Sequence, residues 1–433
     1  MSQKTLDEFM KEKMEEIKKN IIFYKETEFK ETPIGKLPKD WKVVNLEKIA
    51  EIVNGYTFPI ELQGKKEGKY PFIKVGDMNN SYKYIFKAEN YVDDNDLKIL
   101  RARVFPKGTI IFPKIGMAIK LNKFRILGCD ALFDNNIAGL IPKNNISNEY
   151  LFYYFSGKIN LISLASTTTV PSITKTKLKR LLVPLPPLEE QRIIAEILST
   201  LDNAIEATEK YIEKLERLKR GLMQELLTKG IGHKEFKETP IGKIPKSWKI
   251  ERLENIVDIF DNMRIPLSER ERANRKGPYP YCGANGIIDY IDDYIFEGEY
   301  VLLAEDGGYY GPFETSAYIM DGKFWVNNHA HVLKAKENIA LNKFLMYMLN
   351  FLDLRPYLVG STRAKLNQKD MRKIKMPLPP LEEQKRIATI LSTIDKWIEL
   401  EKKRKEKLER LKRGLMDILL TGKIRIKVKG DQP

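Results

Sequence analysis

Two short polar strips hold the side chains best suited to contact an anion or the edge of a base. The first is STTTVPS at residues 166–172 and the second is GSTRAK at residues 360–365. Hydroxyls, amides and basic groups beside a loop are the set that contacts phosphate oxygens and base edges. The candidate residues in and after the strips are Thr167, Thr168, Lys175, Lys177, Ser361, Thr362, Arg363, Lys365 and Asn367. Both strips could be solvated loops, but their recurrence about 193 residues apart favours a binding role.

Two further stretches combine basic and amide side chains and could follow a phosphate backbone. The candidates in the first stretch are Lys114, Lys120, Asn122, Lys123 and Arg125. Those in the second stretch are Arg264, Arg272, Arg275 and Lys276. Each stretch is equally compatible with an exposed loop, so no individual base contact is assigned.

Catalysis needs a nucleophile with a base, a carboxylate cluster or a metal site, and no such set stands out. His329 and His331 would share a face of a strand, but no acid or cysteine at ligand spacing joins them. The ordinary interpretation, partly buried strand histidines, is favoured. Gly307 and Gly308 lack the lysine of a phosphate loop. The sequence therefore predicts no active site, no metal and no cofactor bound by this chain.

Internal repeats must position these groups. PLPPLEEQRIIAEILSTLD at residues 184–202 returns as PLPPLEEQKRIATILSTID at residues 377–395. FKETPIGKLPKDW at residues 29–41 returns as FKETPIGKIPKSW at residues 236–248. Between the matched segments the two copies diverge. A constant frame with two different inserts indicates two related tasks with different targets.

The frame predicts two long helices, residues 188–228 and 381–421. Each begins after a Pro-Pro pair with acidic residues in the first turn. Apolar residues recur along both at alternating spacings of three and four, which predicts an antiparallel coiled coil with an insert at each end. The second helix has Glu401 and Lys405 mid-seam, so we expect looser packing there. Residues 5–22 predict a shorter helix that aligns with residues 212–229, so the repeat is circular, with a pseudo-twofold axis.

The inserts mix short apolar runs with Gly, Pro and Asn, which predicts strands near residues 70–75, 108–112, 300–303 and 331–333. Residues 150–155 and 343–348 predict one helix in each insert. The expected fold class is α+β, with two globular domains separated by the long helices. The expected segments are an N-terminal helix at 1–22, domains at 23–183 and 231–376, helical segments at 184–230 and 377–422, and a basic tail at 423–433.

Charge is distributed unevenly. Lysine and arginine number 75 against 59 acidic residues in the whole chain. Residues 42–183 hold 22 basic against 12 acidic residues, whereas residues 249–376 hold 18 of each. A local basic excess favours a nucleic-acid partner over a membrane. Two isolated cysteines and the lack of a long apolar run predict a soluble cytoplasmic protein.

The LEEQ sequence at each long helix start has two interpretations. It can be a helix N-terminus with first-turn charge, or a docking surface for a partner, and both can hold. The candidate docking residues are Glu189, Glu190, Gln191, Glu382, Glu383 and Gln384.

The doubled PLPPLEEQ segment, the preceding GSTRAKLNQKDMRKIKMPLP and the two Trp-bearing IGKLPKDW and IGKIPKSW segments resemble specificity subunits of type I restriction-modification systems. The resemblance covers nearly the whole chain. It implies two target-recognition domains that each read one half of a bipartite double-stranded DNA site. It also implies two adenine-N6 methyltransferase subunits that carry S-adenosylmethionine, and restriction subunits that use ATP and Mg²⁺.

Two other classes are weighed against this one. A single-chain restriction and methylation enzyme needs methyltransferase motifs, and the repeat leaves no room for them. A structural coiled-coil adaptor explains the helices but needs no large divergent inserts. Binding of duplex DNA separates the adaptor from the reader, and activity without partners identifies the enzyme.

Overall fold

The computed structural model describes residues 15, 21–166, 169–360 and 364–428. It divides into two units that both mix helices and strands. Unit 1 comprises Met1–Lys210 and Lys403–Pro433, and unit 2 comprises Tyr211–Lys402.

Unit 1 contains fourteen strands among its described residues. They are β1 (Ile21–Lys25), β2 (Phe29–Thr32), β3 (Gly35–Pro38), β4 (Lys42–Asn45), β5 (Ala50–Asn54), β6 (Tyr70–Ile73), β7 (Tyr84–Ile85), β8 (Asn90–Val92), β9 (Ile110–Pro113), β10 (Arg125–Leu127), β11 (Leu132–Phe133), β12 (Ile137–Pro142), β13 (Leu182–Leu185) and β26 (Ile424–Val428). The main sheets have the orders β5-β12-β9-β10-β7 and β11-β6-β8.

The described residues of unit 2 contain twelve strands. They are β14 (Phe236–Lys237), β15 (Ile244–Pro245), β16 (Lys249–Arg252), β17 (Val257–Ile259), β18 (Lys276–Gly283), β19 (Gly286–Ile291), β20 (Phe296–Glu297), β21 (Tyr300–Ala304), β22 (Ala317–Met320), β23 (Lys323–Val326), β24 (Ala330–Ala335) and β25 (Lys375–Leu378). The main sheets have the orders β17-β24-β21-β22 and β19-β18-β23-β20.

The α-helices of the described chain connect and flank these sheets. They are α1 (Leu46–Ile49), α2 (Asp94–Leu100), α3 (Asn148–Lys158), α4 (Leu161–Leu164), α5 (Lys175–Lys179), α6 (Leu188–Thr228), α7 (Leu253–Ile256), α8 (Glu269–Asn274), α9 (Asn342–Phe351), α10 (Gln368–Met371) and α11 (Leu381–Leu419). Short 3-10 helices lie at Ile60–Leu62, Gly76–Asn79, Met117–Leu121, Asp261–Met263 and Arg355–Tyr357.

Both units use the same arrangement of strands. β12 pairs antiparallel with β5 and β9, as β24 pairs with β17 and β21. β6 pairs parallel with β11, as β18 pairs with β23. β4 pairs with β13, and β16 with β25, so a two-stranded sheet stands directly before each long helix. The predicted strands and the two predicted insert helices, α3 and α9, are confirmed.

The long helices begin and end where the sequence predicts, within two residues. Gly230 and Gly422 follow their ends with φ of +68° and +67°, the left-handed conformation that favours glycine. A Cβ on Gly230 would collide with Trp248 and Glu383, and one on Gly422 would press on Pro38 and Trp41. Glycine is therefore required at both helix ends for conformation and for close approach.

Ion pairs show that α6 and α11 run antiparallel within each unit. In unit 1, Lys412 pairs with Asp202 at 2.5 Å and Lys405 with Glu209 at 2.6 Å. The residue number of the α11 partner decreases as that of the α6 residue increases, so the two helices run in opposite directions. In unit 2 the same order holds, with Lys402 on Glu216 at 3.0 Å and Lys219 on Asp395 at 2.6 Å.

The apolar residues of these helices face the interior as predicted. Leu198, Leu201 and Ile205 are buried in unit 1. Ile212 and Leu215 cluster with Ile394 and Ile398 in unit 2. Both stripes therefore serve as packing surfaces.

The chain ends differ from the sequence prediction. Most of the predicted helix 5–22 lies outside the described residues, but Ile21 and Ile22 belong to β1 rather than to a helix. The expected basic tail contains β26, which pairs antiparallel with β1, Ile21 opposite Val428. Local helix periodicity could not reveal this pairing, because its two strands are some 400 residues apart in sequence.

Candidate functional site

The frame of unit 1 is closed around a buried tryptophan. Trp41 has no exposed surface, and its indole Nε1 donates to Glu190 Oε2 at 3.1 Å. Arg425 of β26 donates to both oxygens of the same carboxylate, at 2.8 and 3.0 Å. Glu190 is 4% exposed. This is a bidentate charged contact, the strongest kind of side-chain hydrogen bond.

Two further carboxylates surround the guanidinium. Arg425 donates to Glu26 at 2.7 Å and to both oxygens of Asp40 at 2.8 Å. Burial alone would lower the pKa of Arg425, but the hydrogen bonds to Glu190, Asp40 and Glu26 raise it above its ordinary value. Burial would also raise the pKa of Asp40 and Glu26. Arg425 holds the pKa of Asp40 below its usual range, and the backbone N–H groups of Glu28 and Thr27 together with Arg425 do the same for Glu26.

Unit 2 builds the same contact with a different third group. Trp248 is buried, and its Nε1 donates to Glu383 Oε2 at 2.9 Å. The other oxygen of Glu383 accepts from the backbone N–H of Ile231 at 2.9 Å. His233 Nε2 lies 2.8 Å from that oxygen. A histidine and a backbone amide therefore stand where unit 1 has an arginine.

The glutamine of each LEEQ sequence ties the long helix to the insert. Gln191 Oε1 accepts from the backbone N–H of Ser147, at the start of α3, at 2.9 Å. Gln384 Oε1 accepts from Leu341, at the start of α9, at 3.1 Å. Each side-chain nitrogen donates to the carbonyl of the proline five residues earlier, at 2.8 and 2.9 Å. Both glutamines are completely buried.

These contacts correct the sequence interpretation of LEEQ as a surface. Glu190, Gln191 and Gln384 are buried, and the side chain of Glu383 is only 12% exposed. They hold the fold and present no free group to a partner. Only the first glutamate of each motif, Glu189 and Glu382, is exposed.

Hydrogen bonds join the residues at the two ends of each polar strip, at matched positions. In unit 1 the Ser172 N–H donates to Ser166 Oγ at 3.1 Å, and the Ser166 N–H donates to the Ser172 carbonyl at 2.9 Å. In unit 2, 193 residues later, Val359 and Lys365 exchange two backbone hydrogen bonds of 2.9 Å. Thr167, Thr168, Ser361, Thr362 and Arg363 lie outside the described residues.

Each loop meets the end of a central strand. After β9, Ile115 bridges Ser172 and the Lys114 carbonyl accepts from Ile173 at 2.9 Å. After β21, Asp306 bridges Lys365 and the Glu305 carbonyl accepts from Leu366 at 2.8 Å. Each unit therefore contains the same junction between a polar strip and the end of a central strand, and the side chains at this junction differ between the units.

The predicted basic and amide side chains of unit 1, in the strip and in the stretch, divide into exposed and engaged groups. Lys120, Lys175 and Lys177 are exposed. Lys123 donates to Asn79 Oδ1. Asn122 adopts φ +47° and ties Ile159 to Leu161 through both ends of its amide. It is a structural residue, which corrects its assignment as a phosphate contact.

Lys114 and Arg125 are partly withdrawn from solvent. Lys114 Nζ donates to Asn54 Oδ1 at 2.8 Å, and burial lowers the pKa of this lysine. Arg125 donates to Ser81 Oγ at 3.2 Å and to the Phe124 carbonyl at 2.7 Å. Burial lowers its pKa as well.

In unit 2 each predicted cation that the structure describes has an acidic partner. Arg272 and Lys276 both contact Asp289, at 3.4 and 2.6 Å, and Arg275 contacts Asp292 at 2.9 Å. Lys365 contacts Glu305 at 2.8 Å. Asn367 stands at the start of α10 and makes no side-chain cap there. Charge pairing explains how an insert with equal numbers of acids and bases distributes its cations.

Arg264 is the clearest correction. Its side chain is 13% exposed, and it donates to Glu305 at 2.6 Å and to the Ala330 carbonyl at 2.8 Å. His331 belongs to the same buried cluster, with Nδ1 2.6 Å from Asp261 and Nε2 2.7 Å from the Leu366 carbonyl. Both ring nitrogens are occupied, so His331 is a buried strand histidine without an open position for a metal.

Neither a metal-binding cluster nor a membrane-spanning helix lies within the described residues. No group of three or more His, Cys, Asp or Glu side chains there could hold a metal ion. None of the helices in the described ranges has the length and apolar content to cross a bilayer.

Comparison with known proteins decides the family. Residues 38–217 and 245–410 match the family model of the type I restriction modification DNA specificity domain. The MjaVIII specificity subunit of a type I restriction enzyme from Methanocaldococcus jannaschii is 30% identical over 437 residues, 94% of this chain and 98% of that protein. A second relative from that organism, provisionally named the MjaX specificity subunit, is 34% identical over 423 residues with the same coverage.

The chain belongs to the family of type I restriction-modification specificity subunits. It recognises a DNA target as part of such a system, and a purely structural adaptor is not favoured. The fold agrees, since the S subunit from M. genitalium superposes with a TM-score of 0.61 at 17% identity, covering 90% of this chain and 98% of that one. A chain from a study of type I system assembly gives 0.52 at 18% identity, covering 90% and 99%.

Sequence reasoning for this specificity subunit missed the groups that close the frame. The sequence pattern assigns Arg425 to a basic tail and gives His233 no role. The turn at residues 134–136, which carries two adjacent asparagines, was also missed. A sequence signal existed, because the tripeptides DNN at 134–136 and NNH at 327–329 lie 193 residues apart, the same offset as the PLPPLEEQ pair.

Proposed function

We propose that units 1 and 2 each read one half of an asymmetric, bipartite double-stranded DNA site. The single observation that carries this proposal is the duplicated frame with divergent inserts. The Trp–Glu contact, the buried glutamine and the loop junction recur in both units, whereas the side chains at the junction differ. On this proposal the recognition domains are residues 23–183 and 231–376.

The long helices, within residues 184–230 and 377–422, act as an antiparallel coiled-coil spacer in this proposal. The reciprocal pairs Asp202–Lys412 and Asp395–Lys219 support it, because each residue has its counterpart 193 positions away on the other helix. Such an exchange is the property of a pseudo-twofold, circular repeat.

Two methyltransferase subunits dock on the frame, since two copies of one partner need two equivalent surfaces. Glu189 and Glu382, the first glutamate of each LEEQ sequence, are exposed at matched positions and belong to these two surfaces. The chain itself carries no catalysis, and the partners supply methyl transfer from S-adenosylmethionine and, with restriction subunits, ATP-driven cleavage.

The test is a domain exchange. Residues 249–376 are replaced by the insert of a relative, and the chain is assembled with its modification subunits and used to methylate genomic DNA. The expected result is a change in one half of the methylated site and an unchanged other half. A change in both halves, or in neither, would show that the inserts are not independent readers.

A further inference from the structure

One three-residue turn has the same backbone support in both units. Residues 134–136 connect β11 to β12, and residues 327–329 connect β23 to β24. Asp134 Oδ1 accepts from the Asn136 N–H at 2.8 Å, and Asn327 Oδ1 accepts from the His329 N–H at 2.8 Å. Each turn also receives the strand end of the junction, since the N–H of Lys114 donates to the Asn136 carbonyl and that of Glu305 to the His329 carbonyl, both at 2.8 Å.

The middle residue of the turn is an exposed asparagine in both units, Asn135 and Asn328. The turn does not need it. The side-chain acceptor that holds the backbone comes from the residue before, and neither asparagine is among the residues of the described chain with positive φ. Asn135 Nδ2 has a long contact of 3.4 Å to Thr57 Oγ1, which leaves Oδ1 and one N–H free.

A free amide has one donor and one acceptor side by side, the arrangement that pairs with N6 and N7 of adenine in the major groove. Two exposed amides at matched positions of divergent inserts are therefore suited to read one base in each half-site. In unit 1 the adjoining loop also brings Ser172 next to the strand end of the junction, and a hydroxyl there suits phosphate contact next to base contact.

The third residue of the turn differs between the units. Asn136 Nδ2 faces Asp134 at 3.5 Å. His329 replaces it in unit 2, with Nδ1 2.6 Å from Asp306 Oδ1 and a side chain 41% exposed. The ring nitrogen Nε2 is then available to a base edge. An amide and an imidazole at one position select different base edges.

The charged side chains next to the turn are not free to contact DNA, because each is bound to a partner within its own unit. Lys114 and Glu305 occupy the same junction position with opposite sign. Lys114 donates to Asn54, and Glu305 is enclosed by Arg264 and Lys365. The side chains at the junction that remain able to contact a base are therefore those of the turn.

We propose that residues 134–136 and 327–329 are base-reading turns, in which Asn135 and Asn328 are matched amide readers and Asn136 and His329 distinguish the two half-sites. This inference rests on the proposed function and names the residues through which each domain would act.

The experiment uses the full chain assembled with its modification subunits and a library of randomised duplexes, sequenced after selection. Asn328→Ala is expected to reduce discrimination at one base position of one half-site by about fivefold to 150-fold, and Asn135→Ala to do the same in the other. His329→Asn is expected to change the preferred base in the half-site that Asn328→Ala affects. Asn255→Ala is the control, an exposed asparagine near the far end of β24.

Thermal melting confirms that each variant is folded, and Asn328→Asp retains the size of the side chain while removing its donors. Loss of discrimination in the expected half-site, with the control unchanged, supports the assignment. Variants that select the wild-type motif unaltered would overturn the turns as readers and leave the bipartite site standing. A wild-type complex that enriches no sequence would overturn the proposed function itself.

Discussion

Units 1 and 2 close the same Trp–Glu contact with different chemistry, and chain connectivity explains the difference. In unit 2 the backbone runs without interruption from the end of α6 to Trp248, so the contact needs only Ile231 and His233, both on that connecting segment. In unit 1 the corresponding link is missing, because Trp41 precedes α11 in the sequence instead of following it. The β1–β26 pair and Arg425 join the two segments there instead.

The comparison teaches that a circular repeat must replace one covalent connection by noncovalent ones. Arg425 is suited to this role, since its guanidinium remains charged and binds carboxylates from three separate segments. A histidine suffices where the chain is continuous.

The largest expected effect tests this difference directly. Arg425→Ala leaves Glu190 buried without its cation and should destabilise unit 1 by about 3–5 kcal/mol. His233→Ala should cost about 1 kcal/mol, because Ile231 and Trp248 still donate to Glu383. Hydrogen exchange of the matched hairpins, residues 29–41 and 236–248, measures the destabilisation of both units in one experiment. Equal destabilisation by the two variants would contradict the connectivity explanation.

The next effect concerns the reciprocal ion pairs. Asp202 is 2% exposed and binds Tyr153 at 2.7 Å besides Lys412. Asp395 makes the corresponding contacts but its side chain is 36% exposed. Asp202→Ala should therefore cost about 2–3 kcal/mol by stranding buried partners, and Asp395→Ala less than about 1 kcal/mol. Urea denaturation monitored separately in each unit distinguishes them, and the reverse order would mean that burial does not control this pair.

Sequence alone predicted the helices, the insert strands and the duplicated frame, because these depend on local periodicity and on repetition. It placed Glu190 on the surface, since an acidic residue in the first turn of a helix is ordinarily solvated there. Its burial is decided by Arg425, 235 residues away. No local pattern contains that information.

The candidate DNA contacts show the same limit. The strips were found because they recur, and the structure closes both loops at matched positions. Arg264 and Asn122 were chosen by residue type, yet tertiary partners engage them. Residue type indicates what a side chain can bind, and only its neighbours determine whether it is free to do so.

The inserts also differ in how many of their basic side chains are free of acidic partners, and the salt dependence of DNA binding should show this difference. Lys175 and Lys177 of unit 1 are exposed, whereas Arg275 and Lys276 of unit 2 face aspartates. Replacing the first pair by alanine should lower the slope of log affinity against log salt by about 1.8, or about 0.9 for each phosphate that the protein no longer neutralises. The same replacement of the second pair should leave the slope nearly unchanged. Fluorescence anisotropy of the assembled complex on one duplex provides the slopes, and a larger change in unit 2 would reverse the assignment.

The smallest expected effect is the acid response of the two units. Asp40 and Glu26 in unit 1, and Asp261 and Glu305 in unit 2, have pKa values below their ordinary range. The cause is that hydrogen bonds outweigh burial: from Arg425 in unit 1, with the backbone of Glu28 at Glu26, and from His331, Lys365 and Arg264 in unit 2. A carboxyl whose pKa is lower in the folded state contributes stability above its unfolded pKa of about 4, and that contribution is lost as pH falls through the folded pKa. Stability should thus change little between pH 7 and 5 and decline below about pH 4 in both units.

The variant Arg425→Ala separates the two units. Asp40 and Glu26 lose their cation in this variant, so the decline of stability with falling pH should flatten in unit 1 and persist in unit 2. Urea titrations at pH 5, 4 and 3, followed by hydrogen exchange in each unit, test this, and an unaltered acid response of unit 1 in the variant would show that Arg425 does not set it.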